Sequence, residues 1–300
     1  MRVTLCEKPV FAVLVALLAS LSSQARAQDT LLVVEPVEHV YSSPGGLDLK
    51  AYVFKPASDH ADAPRSAIVI FHGGGWHIGS AEWAFPIARH FAELGMIAIA
   101  VQYRLSDQNS ITPLEAMADA RAAIRWTRSN SGALGILVHR IAAYGWSAGA
   151  HLAACAAIFD DSLGAADDSS APDALILVSP ALSLESDNWV QTLLGDRASA
   201  SRISPDEHVR GALPPTIILQ GRTDTVTPLA GSQRFCDRMI EAGNRCDLHI
   251  YEGVGHLFTP SSEPDGGMPN PDPEVQAEAR REAGAFLRSL GYVTGQRRDP

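Results

Sequence analysis

The segment that most constrains the fold is residues 141–151, which read IAAYGWSAGAH. An apolar run leads into a Gly-x-Ser-x-Gly pattern formed by Gly145, Ser147 and Gly149, and a run of small residues follows. This order predicts a strand, a sharp turn and a helix, with the serine on the turn. The two glycines let strand and helix backbones approach closely, because they carry no Cβ. The pattern therefore predicts an exposed serine hydroxyl in front of a helix N-terminus.

Strand and helix patterns alternate along most of the chain. Short apolar runs predict buried strands at residues 66–71, 96–103, 141–144, 174–179, 216–220 and 247–251. Helical patterns occupy residues 83–94, 112–126, 229–242 and 274–290. This alternation predicts an α/β fold with a mostly parallel, doubly wound sheet and helices on both faces.

Three further segments complete the predicted architecture. Residues 30–41 and 47–55 have strand character, and a Pro-Gly-Gly turn between them predicts an antiparallel hairpin at the N-terminal edge of the sheet. Residues 183–212 are irregular and amphipathic, which predicts a small cap insertion. Residues 260–273 are rich in Pro, Gly, Ser and Asp, which predicts a mobile loop.

Residues 1–27 have the features of a signal peptide. Arg2 and Lys8 give a basic start, residues 10–21 are apolar, and Ala25 and Ala27 fit the small-x-small cleavage rule. We therefore expect cleavage near Ala27 and export of residues 28–300, as a single catalytic domain, to the periplasm or the medium. The alternative is an uncleaved membrane anchor, for which the apolar run is short.

Charge and cysteine content bear on partners and covalent links. A formal net charge of -10 argues against nucleic acid and against an anionic membrane surface as partners. Export would make a disulfide between Cys236 and Cys246 possible, and two unpaired thiols are the alternative. Cys155 lies in an apolar helical segment and is expected to be a buried small hydrophobic residue.

Four polar features follow predicted strands. They are the glycine run of residues 72–76, Ser147, Asp224 and His256. The carboxyl ends of parallel strands meet at one edge of the sheet, so these features are expected to lie together. The order serine, aspartate, histidine is that of α/β-hydrolases.

These residue types match the needs of acyl transfer. A serine hydroxyl is a weak nucleophile at neutral pH, and His256 could take its proton. Asp224 could hold the imidazole in one tautomer and stabilise its charged form. The backbone N–H groups of Gly73, Gly74 and Ala148 could form the oxyanion hole.

Structural alternatives exist for each catalytic candidate. Ser147 could be a helix N-cap, Asp224 a turn residue and His256 a surface loop histidine. The glycine run upstream and the shared strand ends favour the catalytic interpretation. We predict no metal and no cofactor, because no metal-ligand spacing is present among the other histidines, His77, His90, His139, His208 and His249.

Several aromatic and histidine side chains are candidates for supporting positions. Trp76, Trp146 and Trp189 could line an acyl or sugar pocket, with ordinary packing as the alternative. His72 is expected to steer the glycine loop. His151, one helical turn after the serine, is expected to pack in the interior or lie at the pocket rim rather than act as a second base.

The motifs together resemble the hormone-sensitive-lipase-related α/β-hydrolases, and more closely the small acetyl-esterase branch that includes bifunctional feruloyl/acetyl-xylan esterases. The resemblance covers about residues 47–292. It is carried by residues 72–76 (HGGGW), 103–106 (YRLS), 119–126, 145–153 (GWSAGAHLA), 204–209 (SPDEHV), 221–224 (GRTD) and 255–256. It implies the same roles for Ser147, Asp224 and His256, and a structural ion pair between Arg104 and Asp119.

The resemblance and the chemistry together predict an exported serine carboxylesterase for short acyl esters, with a small ester or an acylated oligosaccharide as substrate. The acyl group is expected to be acetyl or of the feruloyl/acetyl-xylan type. No large N-terminal helical lid is visible, which favours an open site and short acyl chains. The alternatives are a serine peptidase, an acyl amidase or formamidase on the same fold, and a catalytically silent binding protein.

Overall fold

A computed structural model describes residues 35–57, 63–107, 110–159 and 169–293. The predicted signal peptide lies outside the described residues. The centre of the fold is an eight-stranded sheet with strand order β1-β2-β4-β3-β5-β6-β7-β8. Its strands are β1 Val37–Ser42, β2 Leu49–Phe54, β3 Arg65–Phe71, β4 Ile97–Val101, β5 Ile136–Trp146, β6 Ala174–Val178, β7 Thr216–Gly221 and β8 Cys246–Tyr251.

The pairing of the strands confirms the predicted fold class. β1 pairs antiparallel with β2, and β2 antiparallel with β4. All pairings from β4 through β3 to β8 are parallel. The strand order reverses beside β3, which lies between β4 and β5. In open α/β sheets a ligand crevice forms at such a reversal, above the carboxyl ends of the strands.

The helices cover both faces of the sheet. They are α1 Phe85–Glu93, α2 Pro113–Ser129, α3 Ser131–Leu134, α4 Ala148–Ile158, α5 Asn188–Leu194, α6 Leu229–Glu241 and α7 Pro273–Ser289. Buried side chains of α1 and α7 share one apolar cluster, and those of α2, α4 and α6 share a second. The start of α2 shows why a helix begins there: Thr112 and Glu115 form a capping box, and Pro113 takes the first turn, where proline is tolerated.

Helix α4 is buried on all sides. Its residues are mostly alanine, so the helix can lie close to the strands on one side and to α2 on the other. A Cβ at Gly149 would collide with the carbonyl groups of Phe71 and His72. The small residues after the serine therefore place the helix start directly beside the end of β3.

Several predicted boundaries differ from the observed ones. β1 begins at Val37, and residues 30–34 lie outside the described part of the chain. β5 begins at Ile136 rather than at Ile141, but its pairing with β6 starts only at Ala142. The extra residues of β5 are partly exposed, which is why the apolar pattern missed them.

The segment predicted as a cap folds into short helical pieces between β6 and β7. Residues 183–212 contain α5 and two 3-10 helices, Ala200–Ile203 and Pro205–His208. Asp187 caps α5 by accepting from the N–H groups of Trp189 and Val190.

The structure also shows the state of the three cysteines Cys155, Cys236 and Cys246. Cys236 and Cys246 form a disulfide between α6 and the start of β8, with their Cα atoms 5.5 Å apart. Cys155 is fully buried, as predicted. Within the described ranges, no helix is both long and apolar enough to cross a membrane.

Candidate active site

Ser147 lies on the turn between β5 and α4. Its backbone has φ 54° and ψ -123°, and a positive φ is uncommon for residues other than glycine. The Ser147 N–H donates to the carbonyl of Val178 at 3.0 Å, which ties the turn to the end of β6. Ser147 occupies the N-cap position of α4, but its side chain makes no capping hydrogen bond, so capping does not account for this serine. The turn instead holds the hydroxyl towards the crevice.

The structure brings the three catalytic candidates into contact. The Ser147 Oγ lies 3.1 Å from the His256 Nε2. The His256 Nδ1 lies 3.0 Å from the Asp224 Oδ2 and 3.2 Å from its Oδ1. All three residues are less than a tenth exposed. In this arrangement Nδ1 donates to the carboxylate, and Nε2 is left to accept the serine proton.

The buried Asp224 carboxylate is surrounded by donors that sequence reasoning missed. Thr227 donates from its N–H to Oδ1 at 2.7 Å and from its hydroxyl to Oδ2 at 2.9 Å. The Val226 N–H donates at 3.0 Å and the Gln220 side chain at 2.8 Å. These hydrogen bonds compensate the loss of water around a charged group. Gln220 was hidden at the end of an apolar run, and only the polar type of its side chain could have signalled a role.

The loop that carries His256 is tied to the loop that carries Asp224. The Asp265 carboxylate accepts from the His256 N–H and, at 2.6 Å, from the Thr225 N–H. The Thr225 hydroxyl donates to it at 3.0 Å. Residues 261–272 form a loop, as predicted, and within it the Asp265 carboxylate joins the two loops that carry Asp224 and His256. The mobility of this loop stays a prediction. The composition of a loop does not reveal such long-range bonds.

The glycine loop after β3 lies beside the serine. Gly74 and Gly75 have φ 119° and 57°, which glycine adopts without strain. Outside the regular helices and strands of the described chain, no backbone hydrogen bond starts from the N–H of Gly73, Gly74 or Ala148. These three N–H groups are thus not used by neighbouring carbonyls, as an oxyanion hole requires.

His72 contacts the backbone of this glycine loop. Its Nδ1 lies 2.6 Å from the Gly73 carbonyl oxygen, and the Tyr103 hydroxyl donates to the His72 carbonyl at 2.9 Å. The His72 and Tyr103 rings stack with centroids 4.3 Å apart. Burial lowers the pKa of His72 to about 4, so the ring is neutral at pH 7. Its position fits the predicted steering role.

His151 packs in the interior and does not reach the pocket rim. It is fully buried, its Nε2 lies 2.8 Å from the Ile203 carbonyl oxygen, and the Trp76 indole donates to its Nδ1 at 3.3 Å. Burial lowers the pKa of His151 to about 4. Of the two expectations for this residue, internal packing is therefore the one observed, and the ring joins α4 to the cap segment.

A cavity of about 860 Å³ opens at the serine. Trp76 and Trp146 both contribute to its wall, although Trp76 is only 3% exposed. Trp189 lies at the mouth, 45% exposed, and its indole donates to the Gly75 carbonyl at 3.3 Å. Substrate contact by these tryptophans stays a prediction.

Arg104 and Asp119 form the ion pair implied by the resemblance, at 2.7 Å, with the aspartate buried. Their contact holds the segment after β4 against α2. In the described part of the chain, no group of three or more His, Cys, Asp or Glu side chains could hold a metal ion.

Comparison with known proteins gives consistent matches. The BD-FAE family model matches residues 53–239. The apo structure of esterase 2 of Thermogutta terrifontis is 34% identical, with a TM-score of 0.77, and the match covers 87% of this chain and 97% of that one. The butyrate-bound structure of the same esterase matches with a TM-score of 0.75 at 32% identity, over 89% of this chain and 98% of that one.

Curated relatives match over a shorter share of their length. Isoprenylcysteine alpha-carbonyl methylesterase of Arabidopsis thaliana is 26% identical over 219 residues, which is 65% of this chain and 51% of that protein. Probable carboxylic ester hydrolase LipM of Mycobacterium tuberculosis is 29% identical over 207 residues, which is 61% of this chain and 47% of that protein. The chain thus spans about half the length of the curated relatives it matches.

Proposed function

Because this chain belongs to the BD-FAE family of α/β-hydrolases, we propose that it is a serine carboxylesterase that cleaves short-chain acyl esters. The observation that carries the proposal is the chain of contacts from the Ser147 Oγ through His256 to the Asp224 carboxylate, at 3.1 Å and 3.0 Å. Ser147 and His256 line the 860 Å³ cavity, and the backbone N–H groups beside the serine are not used by other carbonyls.

The reaction proceeds by an acyl-enzyme. The Ser147 Oγ attacks the ester carbonyl carbon while the His256 Nε2 takes the hydroxyl proton. The N–H groups of Gly73, Gly74 and Ala148 donate to the carbonyl oxygen as it becomes an oxyanion. The C–O bond to the alcohol then breaks, and the alcohol leaves with the proton from His256.

Hydrolysis of the acyl-enzyme repeats these steps with water. His256 takes a proton from the attacking water, the tetrahedral intermediate forms again, and its collapse returns the proton to the Ser147 Oγ. The Asp224 carboxylate accepts from the His256 Nδ1–H and stabilises the imidazolium formed in each half-reaction.

The proposed substrate is an ester with a short acyl group, of the acetyl or feruloyl/acetyl-xylan type. Support comes from the small size of residues 183–212, from the cavity that Ser147 lines, and from the match to an esterase structure that holds butyrate. The alcohol is then a small molecule or an acylated oligosaccharide.

A panel of esters tests the activity. We expect turnover of 4-nitrophenyl acetate and butyrate, slow turnover of the octanoate, and a fall of about 10⁴-fold or more in kcat for Ser147→Ala, because the nucleophile is lost. Ser43→Ala, in the exposed hairpin turn, is the matched control and should keep the activity. Comparable turnover of palmitate esters would contradict the short-chain proposal. No labelling of Ser147 by a fluorophosphonate probe would contradict the serine mechanism.

We also propose that the protein is exported after cleavage near Ala27. The N-terminal pattern supports this, and a disulfide between Cys236 and Cys246 suits an oxidising compartment. Intact-mass analysis of the protein recovered from the periplasm or medium should give a chain that starts at Gln28, with both cysteines protected from alkylation until reduction. A product that keeps residues 1–27 would contradict the cleavage.

A further inference from the structure

The cavity at the serine has a second polar region besides the catalytic groups. Tyr144 lies on β5, three residues before Ser147, and Arg280 lies on α7. Both side chains line the cavity. Much of the wall around them is apolar, with Phe91, Leu219, Phe258, Ala279 and Ala283 among the lining residues.

Arg280 has no charge partner in the described chain. It forms no ion pair with a carboxylate of these residues, and its guanidinium donates to the Gln276 side-chain oxygen at 2.6 Å. Its Nε is buried and has no hydrogen-bond partner there. Arg280 is half-buried, and its Nε–H is shielded from water without an acceptor. A buried donor of a charged group without an acceptor is unfavourable, so the site favours a ligand that supplies one.

Tyr144 presents a second unused donor. The residue is 8% exposed, and its hydroxyl makes no hydrogen bond to another described residue. Burial raises the pKa of Tyr144 to about 12, and the positive charge of Arg280 acts against this rise. The phenol is therefore neutral at pH 7 and can donate its proton to an acceptor in the cavity.

The acidic side chains of the same cavity do not neutralise Arg280. Asp187 is used as the cap of α5. Asp265 is used by the N–H groups of Thr225 and His256. The cavity thus combines an unpaired cation, a neutral phenol and an apolar wall within the same volume as the serine.

We propose that Arg280 and Tyr144 form a carboxylate-binding subsite, so that the preferred substrates are esters that carry a carboxylate away from the scissile bond. The inference rests on the proposed esterase function. Arg280 offers charged N–H donors and Tyr144 a hydroxyl, and a carboxylate has acceptor sites for both. Ala279 and Ala283 add only methyl groups to the wall beside Arg280, which leaves room for the ligand.

The carboxylate could belong to either side of the ester. One source is a half-ester of a dicarboxylic acid, in which the acyl group carries the charge. The other is an acylated hydroxy acid, in which the alcohol carries it. Both present the same anion to Arg280 and Tyr144, and matched substrates separate them.

The test compares charged substrates with neutral ones of the same shape. Monobenzyl esters of succinic, adipic and suberic acid are measured against the corresponding terminal amides, and 6-acetoxyhexanoate against its amide. We expect at least one charged substrate to have a kcat/KM about 10-fold or more above its amide, since hydrogen bonds to charged groups are the strong ones. The arm that shows the preference identifies the source of the carboxylate.

Variants assign the preference to the subsite. Arg280→Gln should reduce the charged-to-neutral ratio of kcat/KM by about 10- to 100-fold, and Tyr144→Phe by a smaller factor. Arg281→Gln removes the same charge from an exposed neighbour on α7 and should leave the ratio unchanged. Titration calorimetry of monobenzyl adipate into Ser147→Ala, with and without Arg280→Gln, measures the binding apart from turnover.

The outcomes separate this inference from the esterase proposal. Hydrolysis of neutral esters with no preference for the carboxylate, or a preference unchanged in Arg280→Gln, would overturn the subsite and leave the esterase intact. No hydrolysis of any ester would overturn the esterase proposal. If no ester is hydrolysed, binding alone still tests the subsite. Weaker binding of monobenzyl adipate to the double variant Ser147→Ala/Arg280→Gln than to Ser147→Ala would support the subsite. Equal binding to the two proteins would overturn it.

Discussion

Residues around the candidate catalytic groups contact several of these groups at once. Thr227 illustrates this, because its hydroxyl contacts the Asp224 carboxylate at 2.9 Å, the His256 Nδ1 at 3.2 Å and the Ser179 carbonyl at 3.0 Å. One short side chain thus links Asp224, His256 and the end of β6. In the proposed mechanism, such support keeps Asp224 and His256 within the narrow geometry that acyl transfer requires.

We expect Asp265 to act as a positioning residue, since its carboxylate accepts from the N–H groups of His256 and Thr225. Removing its carboxylate in Asp265→Ala would free the N–H groups of His256 and Thr225, which it joins. We expect kcat for 4-nitrophenyl acetate to fall about 10-fold or more with little change in KM, because the imidazole is less well placed in the transition state. Steady-state kinetics and a pH profile measure this.

Glu263→Ala is the control for that variant. Glu263 lies on the same loop and bonds Asn270 rather than a catalytic loop, so its loss should leave kcat unchanged. Asp265→Asn keeps one acceptor oxygen and should restore part of the rate. An unchanged kcat in Asp265→Ala would show that the loop is held without this carboxylate.

The residue types of the catalytic centre could be predicted from the sequence, but their supports could not. Ser147, Asp224 and His256 each follow an apolar run, so a local pattern marks them. Thr227 and Asp265 follow no such run, and each acts through contacts made only in the folded chain.

At the scale of elements, the backbone around the serine follows from local sequence. β5, the turn and α4 are where the pattern of residues 141–151 indicates, because small residues are needed wherever backbones meet. A Cβ at Gly73 would lie 2.7 Å from the Trp146 ring, so the glycine loop and the serine turn also require each other.

Helix α7 carries two adjacent arginines, Arg280 and Arg281, that its sequence pattern does not distinguish. Its amphipathic pattern predicts a surface helix with one buried face, which is observed. The pattern treats Arg280 as one more polar residue beside Arg281. Only the packing of α7 against the cavity separates the two, since it places Arg280 in the wall and Arg281 in solvent.

For the whole molecule, two buried histidines make stability depend on pH. Burial lowers the pKa of both His72 and His151 to about 4, whereas the unfolded chain binds these protons near 6.5. Between these values the unfolded state holds more protons. The contribution of the two histidines to the free energy of unfolding is therefore fully present above pH 6.5 and is lost as the pH decreases towards 4. The slope is about 1.4 kcal/mol per pH unit for each histidine.

Urea denaturation at several pH values checks this. In His151→Gln the free energy of unfolding should change less steeply between pH 6.5 and 4. The slope should be lower by about 1.4 kcal/mol per pH unit, because the glutamine does not titrate. The exposed His139→Gln is the control and should keep the slope of the unchanged protein. Equal slopes in all three proteins would contradict the burial of a neutral imidazole at position 151.

The sequence by itself determined the order of strands and helices, the edge hairpin, the turn that carries Ser147 and the residue types available for acyl transfer. It could do so because periodicity and glycine placement are local properties of the chain. Only the tertiary structure decided which loops Asp265 joins, where His151 packs and that Arg280 and Tyr144 face the same cavity as the serine. These depend on contacts between elements far apart in sequence, which no local pattern records.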